Sequence, residues 1–247
     1  MCQVLSFCFK MYLYGVFIVT LSCFFTPIYF LLISGKKKET TFLFRTWSYV
    51  FRFFTCYFIR IKGQPVILPD PFIIIANHTS YLDIFLMYSV FPSTHFLFLG
   101  KSELLGYPLI KHFFKHLHIP VFRDKGVKSV KSLIKSRIAL EEGWSLVIFP
   151  EGGISDENYP HCSSFKDGAF ILAKQCQVRI VPITFLNNFS LFEDPSHKNS
   201  KARPGIAKVL IHPVISLDQI NNLSLDELKD FSFSVIEKPM IIANKES

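Results

Sequence analysis

The chain has 247 residues, of which 50% are hydrophobic and 28 are Phe, and its formal net charge is +8. This length suits one α/β domain with additional segments, and the positive mean hydropathy is high for a freely soluble protein. The aromatic residues lie in apolar runs rather than among exposed basic residues, so the charge indicates an anionic membrane surface or substrate rather than a nucleic acid.

The first predicted element is a membrane helix. Residues 11–33 contain no charged residue, and the run exceeds the roughly 20 residues that cross a hydrocarbon core. A signal peptide is the alternative, but the run is too long and no small-residue cleavage site follows it. Lysines occupy positions 36–38, so we expect the rest of the chain on the cytoplasmic side of the inner or plasma membrane. Pro27 leaves open a helix that kinks or re-enters the same face.

The second predicted element is an amphipathic helix in residues 41–63, where aromatic residues alternate with basic ones. Two interpretations stay open. The helix lies at the level of the lipid headgroups, or it is buried against the soluble domain. The chain is accordingly divided into residues 1–63, the membrane-anchoring helices, and residues 64–247, an α/β domain.

In the α/β domain, strand-like and helix-like segments alternate. This alternation predicts a mostly parallel sheet with flanking helices. The clearest helix has an apolar face and ends at Gly143, and the last one begins at Ser224 with Glu227 three residues later. We predict strands near 72–76, 95–99, 118–122, 145–149, 179–185 and 206–211, and helices near 81–90, 107–116, 127–142 and 164–176. The apolar face of the clearest helix comprises Val127, Val130, Leu133, Ile134 and Ile138.

The polar turn after the first buried strand carries the main candidate residues, His78 and Asp83. Five residues along an ideal helix separate two side chains by about 140°, so the pair can meet only if His78 lies in the turn and Asp83 in the first helical turn. Asp83 would then orient the imidazole and leave its other nitrogen as a base. Ser80 is the expected N-cap of that helix. The alternative is that His78 only fills a turn and Asp83 only caps a helix.

Further candidate residues follow other predicted strands. Lys101 lies at the exit of one predicted strand, and Arg123 lies just past another, where it could bind a phosphate. The turn at Glu151, Gly152 and Gly153 could present backbone amides to an anion or oxyanion. The six cysteines lack the spacing of a metal site and are expected to be free thiols in a reducing compartment. No metal is expected. His112, His116 and His118 lack acidic or Cys partners and are interpreted as solvated.

These residues, in this order, resemble the glycerolipid acyltransferase family, typified by 1-acyl-sn-glycerol-3-phosphate acyltransferase. The resemblance covers roughly residues 65–215. The four family blocks are matched by Asn77, His78 and Asp83, by Arg123, by Phe149, Pro150, Glu151, Gly152 and Ser155, and by Val181 and Pro182. Two spacers also match, as Lys101, Glu103 and Leu104 and as Phe165, Lys166, Gly168 and Ala169. Three positions depart from the family pattern: Leu117 replaces a Gly, and Gly153 and Ile154 replace Thr-Arg.

The resemblance implies transfer of an acyl group from an acyl-carrier protein or acyl-CoA to the free sn-2 hydroxyl of 1-acyl-glycerol-3-phosphate, giving phosphatidate. It makes His78 the general base, Asp83 its orienting partner and Arg123 the ligand of the acceptor phosphate. The partners are membrane lipids and the acyl donor, with no cofactor. The remaining substrate-binding candidates are Asn77, Lys101, Glu151, Gly152, Gly153 and Lys166.

Three alternatives remain. The acyltransferase could act on another lysophospholipid, since Ile154 replaces the Arg expected at the phosphate. A membrane lipid hydrolase would replace the acceptor hydroxyl by water, but the sequence has no G-x-S-x-G nucleophile motif. A non-catalytic lipid-binding protein is the third possibility, because the third block is incomplete.

Overall fold

A seven-stranded sheet forms the centre of the computed structural model, which describes residues 3–63, 68–69, 71–106, 108–122, 127–154, 159–197 and 199–245. The strands are β1 (Tyr57–Lys62), β2 (Ile73–Ala76), β3 (Phe96–Lys101), β4 (Ile119–Val121), β5 (Ser145–Ile148), β6 (Ile180–Phe185) and β7 (Gly205–Ile211). Their order in the sheet is β1-β7-β6-β2-β5-β3-β4. All neighbouring pairs are parallel except β6 and β7. The predicted mostly parallel α/β sheet is confirmed.

Strand β2 lies between β5 and β6 and is the centre of the core. Ile73, Ile74 and Ile75 are fully buried. Burial of each such side chain stabilises the fold by about 1.5–3 kcal/mol. Because helices cover both faces of the sheet, successive side chains of this strand are all buried, and its sequence is a continuous apolar run. The chain leaves this strand at its carboxyl end, where open α/β sheets place their binding sites.

Helices cover both faces of the sheet. The helices are α1 (Gln3–Ile33), α2 (Lys37–Phe54), α3 (Leu82–Val90), α4 (Pro108–His116), α5 (Val127–Glu141), α6 (Gly168–Cys176), α7 (Asn188–Leu191), α8 (Leu217–Asn222) and α9 (Leu225–Lys245). Helix α1 contacts α2 and α4, and α2 contacts α3, whereas α6 contacts α5 and α9 in a second group. This separation follows from right-handed crossovers that run in opposite directions along the sheet. The predicted capping box of α9 is confirmed by the reciprocal bonds of Ser224 and Glu227.

The prediction of one helix over residues 41–63 is wrong. Helix α2 ends at Phe54, and β1 follows and pairs in parallel with β7. Cys56 has a φ of 54°, a left-handed conformation that interrupts the helix. The basic residues of this segment suit an edge strand, where charge discourages pairing with other chains. The division of the chain after residue 63 stays a prediction, and one strand of the sheet lies on its N-terminal side.

Helix α2 packs its apolar face on the protein. Phe44, Trp47 and Phe51 are buried, and the Phe51 ring lies 4.6 Å from that of Phe85 on α3. This segment was expected either to lie at the lipid headgroups or to be buried against the soluble domain, and the face with Phe44, Trp47 and Phe51 is buried. Other aromatic side chains of α2 point outward: Phe42, Tyr49, Phe53 and Phe54.

Helix α1 is the one helix in the described part of the chain that is long and apolar enough to cross a membrane. It also contacts the body along its length. Near its start, Lys10 Nζ donates to the carbonyl of Ser200 at 2.5 Å, and near its end the Phe25 ring lies 5.7 Å from that of Phe113. The opposite side of the helix exposes Val4, Leu5, Phe7, Met11, Ile18, Val19 and Phe30.

Helix α5 exists as predicted, but most of its predicted apolar face points outward. Leu133 packs against the core, and the side chain of Val127 lies outside the described part of the chain. Val130, Ile134 and Ile138 are about half exposed, at 54%, 51% and 46%. The face that packs on the sheet carries smaller side chains, and the Ser132 hydroxyl donates to the carbonyl of Pro120. Small residues let the helix approach β4 and β5 closely, which the periodicity alone cannot reveal. The buried residues are Ser132, Ser136, Ala139 and Leu140.

Two histidines are held neutral by burial, which lowers the pKa of His118 to about 3 and that of His212 to about 4. The unfolded chain binds their protons near pH 6.5 and the folded chain does not, so stability is lost as the pH falls below that value. We expect His118→Gln to reduce the dependence of unfolding free energy on pH between 6 and 4 by about 1.4 kcal/mol per pH unit. Denaturant unfolding at several pH values tests this. An unchanged slope would contradict it.

Candidate active site

Asn77 anchors the turn that follows β2. It is fully buried, its Nδ2 donates to the carbonyl of Phe185 at 3.0 Å, and the amide of Phe185 donates to its Oδ1 at 2.8 Å. The side-chain amide of Asn77 therefore pairs with the last residue of β6 and extends the hydrogen bonding between β2 and β6 by one residue beyond β2. Asn77 is absent from the lining of the cavity described below. The structure gives it a positioning role, and direct substrate binding by this residue stays a prediction.

The predicted contact between His78 and Asp83 is present. His78 Nδ1 lies 2.9 Å from Asp83 Oδ2, with His78 in the turn and Asp83 in the first turn of α3. The same Oδ2 accepts from the amides of Thr79 and Ser80, and Asn188 Nδ2 donates to Oδ1 at 2.6 Å. Four donors thus fix a carboxylate that is fully buried.

The start of α3 differs in detail from the prediction. Tyr81, not Ser80, occupies the cap position, and it makes no side-chain capping bond. The Ser80 hydroxyl instead donates to the carbonyl of Phe192 at 2.7 Å and accepts from the amide of Leu82. Ser80 therefore ties the turn to a distant segment, while Asp83 accepts the bonds from the turn amides.

The His78 ring is oriented from two sides. It stacks on Phe149 with a centroid separation of 4.1 Å and an interplanar angle of 19°, and its side chain is 11% exposed. Because Nδ1 donates to Asp83, Nε2 carries the free lone pair. His78 lines a cavity, so this lone pair is available to a bound hydroxyl.

The cavity has a volume of about 670 Å³ and lies at the carboxyl ends of the parallel strands. Its size and apolar walls suit part of a lipid or acyl chain. Charged side chains occur in its lining at Lys101, Lys166 and Asp194. Its apolar lining includes Ile84, Phe98, Phe114, Ile148, Phe149 and Ile171.

The Glu151 carboxylate is hydrogen-bonded to the backbone of the turn that contains His78. Its Oε1 accepts from the amide of His78 and its Oε2 from the amide of Ser163, both at 2.8 Å. Glu151 is buried and is absent from the cavity lining. The carboxylate therefore links the backbone at His78 to the segment before α6.

We expect Glu151→Gln to lower both stability and activity, because an amide nitrogen cannot accept the hydrogen bond that one carboxylate oxygen accepts. A buried amide left unpaired costs about 1–3 kcal/mol. Thermal unfolding and the turnover rate of the variant measure the two effects. Glu142→Gln, an exposed change, serves as the control. Wild-type values for Glu151→Gln in both assays would contradict this role.

Comparison with known proteins identifies the family. Residues 58–186, which include the His78–Asp83 pair and Glu151, match the family model described as Acyltransferase. The chain belongs to the acyltransferase family.

Similar proteins include named acyltransferases. A 1-acyl-sn-glycerol-3-phosphate acyltransferase of Chlamydomonas reinhardtii is 32% identical over 177 residues, covering 70% of this chain and 50% of the relative. The 1-acyl-sn-glycerol-3-phosphate acyltransferase of Saccharomyces cerevisiae is 31% identical over 180 residues, covering 72% and 57%. The chain thus spans about half to three fifths of the length of these relatives.

The fold is shared with a solved acyltransferase. The crystal structure of the 1-acyl-sn-glycerophosphate (LPA) acyltransferase PlsC from Thermotoga maritima matches with a TM-score of 0.78 and 20% identity. The match covers 99% of this chain and 98% of that one, so it includes the N-terminal helices as well as the sheet. At this identity, it shows the fold of the acyltransferase rather than its substrate.

The Gly152 turn of the acyltransferase differs from the expectation. Gly152 has a φ of 80°, and its amide donates to the carbonyl of Phe149 at 2.9 Å. This amide is therefore occupied in the turn and cannot stabilise an oxyanion. The left-handed backbone favours glycine at this position, and a Cβ there would lie 2.7 Å from Lys166 Nζ, so a larger residue would also displace the end of that lysine.

The other predicted binding residues fall into two groups. Lys101, Gly153 and Lys166 line the cavity, and so does Ile154, which replaces the expected arginine. Their contact with substrate stays a prediction. Arg123 and Ser155 lie outside the described residues.

The interpretation of His118 as solvated is wrong, because this side chain is buried in the wall of the cavity. His112 and His116, which precede His118 in the sequence, are half-buried. Within the described part of the chain, no cluster of three His, Cys, Asp or Glu residues could hold a metal ion. In the described residues, the site brings together the His78 imidazole, the buried Asp83 carboxylate and an apolar cavity.

Asn188 is a site residue that the sequence analysis missed. It is fully buried in α7 and donates to Asp83 from 105 positions further along the chain. An asparagine after a strand is common in turns, and no spacing pattern connects it to His78. Only the folded chain reveals that it completes the set of donors around the carboxylate.

Proposed function

We propose that this protein is a 1-acyl-sn-glycerol-3-phosphate acyltransferase, which transfers an acyl group from a thioester to the sn-2 hydroxyl and forms phosphatidate. The observation that carries the proposal is the His78–Asp83 pair, whose imidazole lines an apolar cavity. Family membership supports the reaction class, and the names of the relatives support the acceptor.

In the proposed mechanism, His78 Nε2 removes the proton from the acceptor hydroxyl as the oxygen attacks the thioester carbonyl. The tetrahedral intermediate collapses, the carbon–sulfur bond breaks, and the proton passes from His78 to the departing thiolate. Asp83 stabilises the transient imidazolium and fixes its orientation, as a buried carboxylate does in other catalytic pairs. No covalent acyl-enzyme forms.

The acceptor phosphate is proposed to lie at the polar part of the cavity lining. Lys101 and Lys166 line the cavity, and each ammonium can bind a phosphate oxygen. Arg123 remains the third candidate, on sequence grounds. The acyl donor is an acyl-carrier protein or acyl-CoA, membrane lipids supply the acceptor, and the mechanism requires no metal, cofactor or nucleic acid.

Competition between acceptors tests the proposed substrate. Purified protein in liposomes receives a labelled acyl thioester together with lysophosphatidate and a lysophospholipid that has a phosphodiester headgroup. We expect label mainly in phosphatidate, because two lysines favour the doubly charged phosphate monoester. Preferential acylation of the phosphodiester lipid would overturn the assignment and identify a remodelling enzyme with an altered headgroup pocket at Ile154.

Membrane association is proposed because one side of α1 exposes large apolar side chains. The cytoplasmic orientation of the domain stays a prediction.

We expect the double variant Ile18→Lys with Val19→Lys, at two positions that are more than 60% exposed, to bind anionic vesicles more weakly. A charge at the centre of an inserted helix costs about 2.5–3.5 kcal/mol. Flotation measures the bound fraction, and Val130→Lys on exposed α5 is the matched control. Equal flotation of wild type and the α1 variant would contradict insertion of this side.

A further inference from the structure

A buried imidazole interrupts the apolar wall of the cavity. His118 is 9% exposed, and its ring contacts the aromatic rings of Phe44, Phe98 and Phe114. Its Nδ1 accepts from the backbone amide of Phe98 at 3.3 Å. Because Nδ1 is the acceptor of a neutral ring, Nε2 carries the hydrogen. In the part of the chain that the structure describes, this second nitrogen has no hydrogen-bond partner.

His118 is connected to the base by a row of rings that all line the cavity. The centroids are separated by 4.1 Å from His78 to Phe149, 6.4 Å from Phe149 to Phe98 and 5.3 Å from Phe98 to His118. A chain whose thioester carbonyl lies at His78 would run along this row. Within this row of rings, the hydrogen-bond donor that the chain would meet beyond His78 is the Nε2–H of His118.

We propose that the cavity selects a hydroxylated fatty acyl chain, whose hydroxyl oxygen accepts a hydrogen bond from His118 Nε2–H. The proposal rests on the proposed function, since it assigns the acyl chain of the donor to this cavity. It names the class of acyl group and leaves the transfer reaction unchanged. Burial lowers the pKa of His118 to about 3, which keeps the ring a neutral donor at all physiological pH values.

The selectivity follows from the requirement that buried donors be paired. A saturated chain would cover the Nε2–H with methylene groups and leave it without an acceptor, whereas a hydroxyl oxygen restores the bond. One neutral hydrogen bond changes a binding equilibrium by about 5- to 10-fold. A site that binds a substrate hydroxyl discriminates against the analogue that lacks it for the same reason.

The test compares palmitoyl thioester with palmitoyl thioesters that carry a hydroxyl on the third carbon or near the middle of the chain. We expect wild type to use the donor with the mid-chain hydroxyl about tenfold better by kcat/KM than the plain donor, because two phenyl rings separate His118 from His78 along the row. His118→Asn keeps an acceptor for the amide of Phe98 and removes the distant donor, so it should lose this preference. His118→Gln, which carries a donor near the position of Nε2, should retain part of it.

A second measurement separates this inference from the proposed function. Displacement of a fluorescent fatty acid by palmitate and by its hydroxylated forms reports the preference of the cavity without any transfer. His116→Asn, a change of the same type outside the cavity lining, is the control. Absence of transfer with every donor overturns the proposed function, and the displacement ratio then decides the inference alone. Equal use and equal displacement by plain and hydroxylated chains in wild type would overturn the inference.

Discussion

The variant His78→Ala is expected to lose acyl transfer by about 10²–10⁴-fold in kcat, the usual contribution of a positioned general base. The acceptor hydroxyl is a poor nucleophile until its proton is removed. His78 lines the cavity, and its Nδ1 lies 2.9 Å from Oδ2 of the buried Asp83, so it is placed to remove that proton. KM for lysophosphatidate should change little, because the lysines and the apolar wall remain.

Steady-state transfer from a labelled thioester, with unfolding measured in parallel, checks this prediction. His116→Ala is the control, since it removes a half-buried imidazole that does not line the cavity. Loss of activity in both variants would indicate a general effect on folding. Full activity of folded His78→Ala would refute the base mechanism.

Replacement of Asp83 by Asn is expected to reduce kcat by about 10³-fold or more. The variant loses the carboxylate that orients the His78 ring and stabilises its protonated form. The Oδ2 of Asp83 accepts three bonds, so the new amide oxygen would take that place and turn the new NH₂ toward Asn188. The Asn188 amide would then have to turn so that its Oδ1, which has no hydrogen-bond partner in the described structure, accepts from the new NH₂. Loss of the charged acceptor in a fully buried site also costs stability. Rate measurement and denaturant unfolding follow the two effects.

Exchange of the two side chains provides the matched control. In the double variant Asp83→Asn with Asn188→Asp, the carboxylate at 188 can accept from the amide at 83, so the net charge and the pairing are restored. We expect stability to return close to wild type while most of the loss in kcat remains, because the charge no longer contacts His78. Recovery of kcat to the wild-type value would show that contact between Asp83 and His78 is unnecessary.

The sequence was sufficient for the parts of the site that are close along the chain. His78 and Asp83 share one turn, and helical geometry alone determines how such a pair can meet. Strand β2 was predictable for a similar reason, because three consecutive isoleucines require burial on both faces of a parallel sheet. The ordered blocks then identified the family.

The remaining features depend on contacts between distant segments. Asn188 reaches Asp83 only after β6 has paired with β2. The buried face of α5 is chosen by how closely Ser132 and Ser136 approach the sheet, so a stripe of larger residues is left outside. Strand β1 was hidden in an aromatic and basic segment, because a left-handed Cys56 marks its start instead of the usual glycine or proline.

Dependence of thioester consumption on the acceptor tests the central claim most directly. Wild-type protein in liposomes is supplied with a labelled acyl thioester, with and without lysophosphatidate, and the free thiol and labelled lipids are measured. We predict consumption only when the acceptor is present, with one thiol released for each phosphatidate formed. Release of labelled fatty acid with or without acceptor would contradict transfer and indicate a hydrolase, and no consumption in either case would contradict an enzymatic function.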